Sequence, residues 1–181
     1  MQPYHDVIDF WFVQHGKEDW FGGKAEFDAA IAENFSALHA QVARGEAWEW
    51  RETPEGRLAE VVVLDQFSRQ LFRGRPEAFA QDKMALALAQ EALATGADDA
   101  VPRDWAPFFY LPFMHAESLV IQEEGMRLYE LHGDAEQLDY MRKHRDTVAR
   151  FGRFPFRNKA LARQSTPEEL AYIEEAGDRG F

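Results

Sequence analysis

The sequence contains no cysteine among its 181 residues. This absence excludes disulfide bonds, thiolate zinc sites and a cysteine nucleophile. No apolar run approaches the roughly 18 residues of a membrane-spanning helix, and residues 1–6 lack the basic and apolar stretches of a secretory signal. Glycine (12) and proline (8) are too few for a collagen-like or disordered chain. We therefore expect a single globular domain over residues 1–181, located in the cytoplasm.

The net charge of −12 is unevenly distributed along the chain. Residues 141–163 contain eight arginines and lysines but one acid, a local charge of +7, so the rest of the chain carries −19. Strongly acidic proteins repel phosphate backbones and anionic membranes. The composition therefore disfavours nucleic acids and membranes as partners and leaves a small anionic ligand or an acidic peptide.

Helical periodicity runs through nearly the whole chain, and no segment alternates in the way a strand does. This pattern predicts an all-α domain of about seven helices, packed as antiparallel helical hairpins. The predicted helices run from Pro3 to about Gln14, from about Lys24 to Arg44, from Thr53–Pro54 to about Phe72, from Pro76 to near Thr95, from the aromatic entry 105–112 to His132, from Asp134 to about Phe151, and onward from Thr166.

The third predicted helix is apolar on nearly every side, yet it carries Asp65, Gln66 and Arg69. At 100° per residue, Asp65 and Arg69 project about 40° apart. A buried charge without a partner costs several kcal/mol, so these groups must be paired or line a cavity. Two interpretations stay open: an ion pair that ties helices together, and a polar pocket within the helical core.

His115 is the second polar residue in an apolar setting. On a continuous fifth helix it shares a face with Leu111, Leu119 and Gln122. A single histidine on such a face is more often a hydrogen-bonded core residue than a catalytic one. Glu117 projects to another side of that helix, where we expect a solvated surface group.

The loop from Arg150 to Asn158 combines three arginines with residues that break a helix and anchor a loop. Gly152 and Pro155 are expected to end the helix, and three phenylalanines should hold the loop inward. The arginines either complement an acidic body or converge on an anion, because a planar guanidinium binds carboxylates and phosphates through two hydrogen bonds.

Several common catalytic motifs are missing. The sequence has no glycine-rich phosphate loop, no Gly-x-Ser-x-Gly elbow and no His-Glu-x-x-His pair. None of the six histidines stands at metal-ligand spacing from another. We therefore predict no metal site and no cofactor.

In several stretches the chain resembles the bacterial domain-of-unknown-function family 924. The resemblance implies an all-helical, tetratricopeptide-like superhelical fold and no assigned reaction. Two positions depart from the family pattern: Ser68 stands where the family usually has proline, and Phe156 where it usually has histidine. The matching stretches are DVIDFWF (6–12), DWF (19–21), TPEGRL (53–58), VLDQF (63–67), YLPFMH (110–115), the loop 150–158 and STPEE (165–169).

These features favour a helical binding module with an internal pocket for a small anionic metabolite or an acidic peptide end. The first alternative is a hydrolase of a phosphorylated or carboxylated small molecule, with His115 as general acid–base and Asp65 holding it. The second is a purely structural protein–protein interaction module. The predicted ligand-binding residues are Arg69, Gln66, Arg150, Arg153, Arg157 and Asn158.

Overall fold

Helices provide all the regular secondary structure of residues 1–177, the part of the chain that the computed structural model describes. The all-α fold class is therefore confirmed. The chain forms two compact units: unit 1 comprises Met1–Arg73 and Glu77–Pro112, and unit 2 comprises Gly74–Pro76 and the chain from Phe113. The single domain over residues 1–181 stays a prediction, as does the tetratricopeptide-like arrangement, and residues 178–181 lie outside the described residues.

Unit 1 holds the first seven α-helices. Two of them continue into π-helical segments, Asp9–Gln14 after the first helix and Val63–Phe67 after the fourth. Pro54 begins α4 at a position where its missing N–H costs nothing, and the Thr53 side chain caps the Gly56 amide. The helices are α1 (Tyr4–Ile8), α2 (Lys17–Trp20), α3 (Ala25–Val42), α4 (Pro54–Val62), α5 (Ser68–Leu71), α6 (Asp82–Ala94) and α7 (Pro107–Met114), the last reaching into unit 2.

The core of unit 1 is largely aromatic. Trp11 is fully buried, stacks on Trp20 at 5.6 Å between ring centroids, and contacts Phe27, Phe67 and Phe108. In α3, apolar residues recur at steps of three and four, and this stripe, formed by Phe27, Ile31, Phe35, Leu38 and Val42, is buried along its length. Large aromatic side chains remove much apolar surface from water, so this cluster contributes strongly to the stability of unit 1.

Unit 2 contains α8 (Leu119–His132), α9 (Ala135–Phe151) and α10 (Pro167–Ala176). Capping boxes form at Asp134 and Thr166, where helices were predicted to begin, and Gly152 ends α9 with φ of 71°, a conformation that favours glycine. Since α8 and α9 are joined by only Gly133 and Asp134, they form an antiparallel helical hairpin.

The prediction of one continuous helix from 105 to His132 is wrong. The helix ends at Met114 and a new one begins at Leu119, so residues 115–118 form a connection. Pro112 lies within the last turns of α7 and donates no backbone hydrogen bond there, and Ser118 is extended, with φ of −146°. The projection of His115 onto the face of Leu119 and Gln122 therefore does not apply.

No helix within residues 1–177 is long and apolar enough to cross a membrane.

Candidate functional site

Unit 1 contains a buried polar network around the π-helical segment of α4. Asp65 is 1% exposed, and its Oδ1 lies 3.2 Å from Arg69 Nη1. The same nitrogen lies 3.1 Å from Asp82 Oδ1 on α6, and Gln66 donates to Asp65 Oδ2 at 2.6 Å. The ion pair, one of the two interpretations that the sequence left open, is therefore present, and Arg69 extends it to another helix. Such π-helical turns often occur at functional sites.

Arg69 stays charged in this network. Burial alone lowers the pKa of Arg69, but the carboxylates of Asp65 and Asp82 outweigh burial and raise that pKa above its ordinary value. Because Arg69 also donates to the Asp65 carbonyl at 2.6 Å, it fastens the π-helical turn to α6. The sequence did not indicate Asp82 as a partner of Arg69, because acids are common in the first turn of a helix.

Ser68 lies in a second buried contact of unit 1. Its hydroxyl donates to the Leu64 carbonyl at 2.6 Å, so His39 Nε2, 2.8 Å away, donates to Ser68 Oγ. Burial lowers the pKa of His39 and keeps it neutral near pH 7. Because His39 carries its proton on Nε2 and donates it to Ser68 Oγ, it cannot accept the proton of the serine hydroxyl. The contact therefore joins α3 to α5 but does not make Ser68 a nucleophile.

In unit 2, the connection at residues 115–118 is held rigidly by Gln122. The Gln122 amide nitrogen lies 3.2, 2.7 and 2.8 Å from the carbonyl oxygens of Phe113, Met114 and Ala116. Gln122 is fully buried, and its two amide N–H groups are shared among these three carbonyls around the break between α7 and α8. Between Met114 and Ala116, the His115 carbonyl accepts a hydrogen bond from Arg157 Nη2 at 3.0 Å.

Arg157 is held on two sides. Its side chain lies over the Phe154 ring, with the guanidinium carbon 4.5 Å from the ring centroid, and the residue is 8% exposed. The His115 ring lies 6.3 Å from that of His144, whose Nδ1 contacts the Tyr140 carbonyl at 2.8 Å. The structure thus brings Arg157 and His115 together through the His115 backbone.

Glu117 is a residue that we expected at the surface, and that expectation is wrong. It receives two hydrogen bonds from Arg163, at 2.7 and 2.9 Å, and one from the Phe154 amide at 2.7 Å. Burial alone raises the pKa of Glu117, but the hydrogen bonds from Arg163 and Phe154 lower it below its ordinary value. Glu117 therefore fastens the connection at 115–118 to the loop after α9.

Two of the predicted anion-binding arginines have carboxylate partners on α10. Arg150 contacts the exposed Glu168 at 2.9 Å, and Arg153 binds both oxygens of the buried Glu169 at 2.7 and 2.9 Å. The Asn158 amide lies 3.3 Å from Glu169 and donates to Ser165 at 3.0 Å. Carboxylate partners are what we expect for Arg150 and Arg153 if these arginines complement acids of the fold rather than converge on a ligand.

Glu169 makes the docking of α10 pH-dependent. Hydrogen bonds from Arg153, and further ones from Thr166 and Asn158, lower the pKa of Glu169 from 4.5 to about 2. A carboxyl with a lowered folded-state pKa contributes stability that is fully present above its unfolded pKa and is lost as pH falls towards the folded value. We expect the free energy of unfolding to fall between pH 4.5 and about 2.

Urea denaturation across this pH range tests the prediction. Glu169→Gln keeps an acceptor for the capping box but removes the titrating group, so its stability should vary less with pH than that of the unmodified protein. Glu174→Gln, an exposed acid on the same helix, is the control and should leave the profile unchanged. Identical profiles for all three proteins would contradict the role given to Glu169.

A groove of about 530 Å³ lies along α9 and α10 in unit 2. Its aromatic members are Tyr140, Phe151 and Tyr172, and the Tyr172 hydroxyl lies 3.0 Å from Thr147 Oγ1. Phe156 packs against Tyr172 at 5.8 Å between centroids. The lining residues are Tyr140, Lys143, Asp146, Thr147, Arg150, Phe151, Tyr172 and Ala176.

The predicted site residues are divided between the units. Asp65, Gln66 and Arg69 form one network in unit 1. His115 and the loop residues belong to unit 2, where Arg157 meets His115 and the other loop residues bind α10. The residues that sequence reasoning missed are Asp82, Glu117, Gln122, Arg163, Glu169 and Tyr172.

Comparison with known proteins agrees with this fold. A family model described as "Bacterial protein of unknown function (DUF924)" matches residues 7–177. A solved structure of a protein of unknown function from Agrobacterium tumefaciens is 42% identical and has a TM-score of 0.91, with 95% of this chain and 97% of that chain covered. No curated protein matches the chain. The resemblance noted in the sequence is confirmed, and the chain belongs to the DUF924 family of bacterial proteins.

Proposed function

We propose that this protein is a helical binding module that accepts an acidic peptide segment in the groove along α9 and α10. The observation that carries the proposal is the pairing of cations with aromatic rings on the groove lining. Lys143 Nζ lies 5.4 Å from the Tyr140 ring centroid, and the Arg150 guanidinium carbon lies 4.7 Å from that of Phe151. A ligand with a carboxylate beside an apolar group complements both features.

The existing partners of these cations are weak competitors. Lys143 contacts Asp139 at 2.6 Å and Arg150 contacts Glu168 at 2.9 Å, and all four side chains are at least half exposed. Ion pairs this exposed contribute between about 0 and 1 kcal/mol, so a ligand carboxylate replaces them at little cost. Arg150 adds the planar fork that suits a carboxylate.

The local charge also supports an acidic ligand. Although the whole chain carries −12, the groove lining itself has two cations, Lys143 and Arg150, and one acid. Asp146 is the one acid on the groove lining, and its Oδ1 lies 3.0 Å from Arg145, which offsets its charge. Binding through exposed charges should weaken as ionic strength rises, because the Debye length falls below about 10 Å above 0.1 M salt.

N-acetyl-glutamyl-phenylalanine amide tests the groove with one carboxylate and one ring, independently of peptide conformation. We expect this probe to shift the backbone amide NMR signals of residues 140–151. Arg150→Met should weaken its binding about fivefold, equivalent to about 1 kcal/mol for one charge-assisted contact.

Arg127→Met is the matched control, since Arg127 is an equally exposed arginine, paired with Glu124 within α8. It changes the net charge by the same amount and should leave binding unchanged. If both variants weakened dipeptide binding equally, or if amide signals shifted throughout the protein, binding would depend only on net charge. Either result would overturn the proposal.

The other interpretations stay predictions. Anion binding by Arg69, Gln66, Arg153, Arg157 and Asn158 is one, and a structural interaction module is another. The third is a hydrolase with His115 as general acid–base and Asp65 as its orienting carboxylate.

A further inference from the structure

The residues that α9 contributes to the groove form two parallel tracks. At 100° per residue, Tyr140, Thr147 and Phe151 lie within about 40° of one another and make an apolar and hydroxyl track. Lys143 and Arg150 project about 20° apart and make a cationic track beside it, and Asp146, paired with Arg145, projects about 40° beyond Arg150 on the outer side of that track. The first track follows the helix axis over about three turns and the second over about two.

The spacing of the cations restricts the shape of a ligand that meets both of them. Lys143 and Arg150 are seven residues apart in one helix, so their backbone positions are separated by about 10.5 Å along its axis. In an extended peptide, side chains on the same face recur about 6.6 and 13.2 Å apart, and neither distance matches. In an α-helix, residues seven apart recur on one face at about 10.5 Å.

We propose, on the basis of the function given above, that the partner segment is an amphipathic α-helix with two acidic residues seven positions apart beside an apolar stripe. Such a helix lies along α9 with its acids on the Lys143 and Arg150 track. Its apolar stripe contacts Tyr140 and Phe151, and α10 bounds the groove through Tyr172. This geometry repeats the heptad spacing by which helices pack side by side.

Three blocked peptides of about 15 residues, a length at which helices become marginally stable in water, test the register. The first has two glutamates seven positions apart and leucines along the same face. The second has the same composition with the glutamates five positions apart, which turns them about 140° away from each other. The third is the first peptide with a central proline, which breaks the helix.

We expect the first peptide to gain helical circular dichroism on binding and to shift the amide signals of residues 140–151. The second and third should bind at least about tenfold more weakly. Equal affinity for the first and second peptides would overturn the register, and equal affinity for the first and third would favour an extended ligand instead.

The dipeptide probe separates this inference from the proposed function. If the dipeptide binds at Arg150 but the three longer peptides bind with equal affinity, the proposal of a helical partner is wrong, while the proposal that the groove binds an acidic segment is supported. If none of the probes binds, both proposals fail. If the protein associates with itself and the amide signals of residues 140–151 shift as it does so, the groove binds a second copy of this chain. That result would overturn the proposal of an acidic helical partner.

Discussion

Replacing Asp65 with alanine is expected to lower the free energy of unfolding by about 3 kcal/mol. Asp65 is 1% exposed and contacts Arg69, which is only 19% exposed at its side chain. Removing one member of a buried ion pair leaves the other charge poorly compensated. Arg69 retains Asp82 at 3.1 Å, which places the loss at the lower end of the range for buried pairs.

Chemical denaturation monitored by circular dichroism measures this loss. Glu168→Ala is the control, because Glu168 is an exposed acid in an exposed ion pair, and it should change stability by less than about 1 kcal/mol. Asp65→Asn, which keeps the shape but removes the charge, should also destabilise. An unchanged denaturation midpoint for Asp65→Ala would contradict the buried network.

A second large effect is expected from Gly56→Ala. Gly56 is buried in the first turn of α4, where a β-carbon would lie 2.8 Å from the Trp50 carbonyl carbon and closer still to its oxygen. Backbone atoms cannot rotate aside as a side chain does. We expect a loss of about 2 kcal/mol or more from overpacking, although alanine is favoured over glycine by about 1 kcal/mol within a helix.

Gly125→Ala is the matched control, since Gly125 is also buried within a helix. There a β-carbon would meet the end of the Met141 side chain at 2.9 and 3.0 Å, and a methionine adapts by rotation. It would also lie 3.3 Å from Phe113 Cβ, a contact that a shift of a few tenths of an ångström relieves. We expect a stability change within about 1 kcal/mol. A similar loss from both variants, measured as unfolding free energies in urea, would refute the distinction between backbone and side-chain crowding.

Features encoded by neighbouring residues were predictable from the sequence. The capping boxes at Asp134 and Thr166 involve residues three positions apart, and the buried stripe of α3 depends on helical periodicity. The buried position of Asp65 followed in the same way, because the helix around it is apolar on every side. These properties need only local geometry and the tendency of apolar residues to leave water.

Properties that depend on distant partners were decided by the tertiary structure. The break after Met114 is stabilised by Gln122 and Arg157, which reach its carbonyls from other elements. Glu117 lies in a cluster because Arg163, 46 residues later, folds back onto it. Arg150 and Arg153 have the same local sequence signature, yet one meets an exposed acid and the other a buried one. The sequence by itself determined where α4, α9 and α10 begin, which face of α3 is apolar and where charge accumulates. Only the packing of α10 against the loop and α9 decided which arginines are neutralised and where a groove remains, because hydrogen bonds and ion pairs depend on distances that chain separation does not specify.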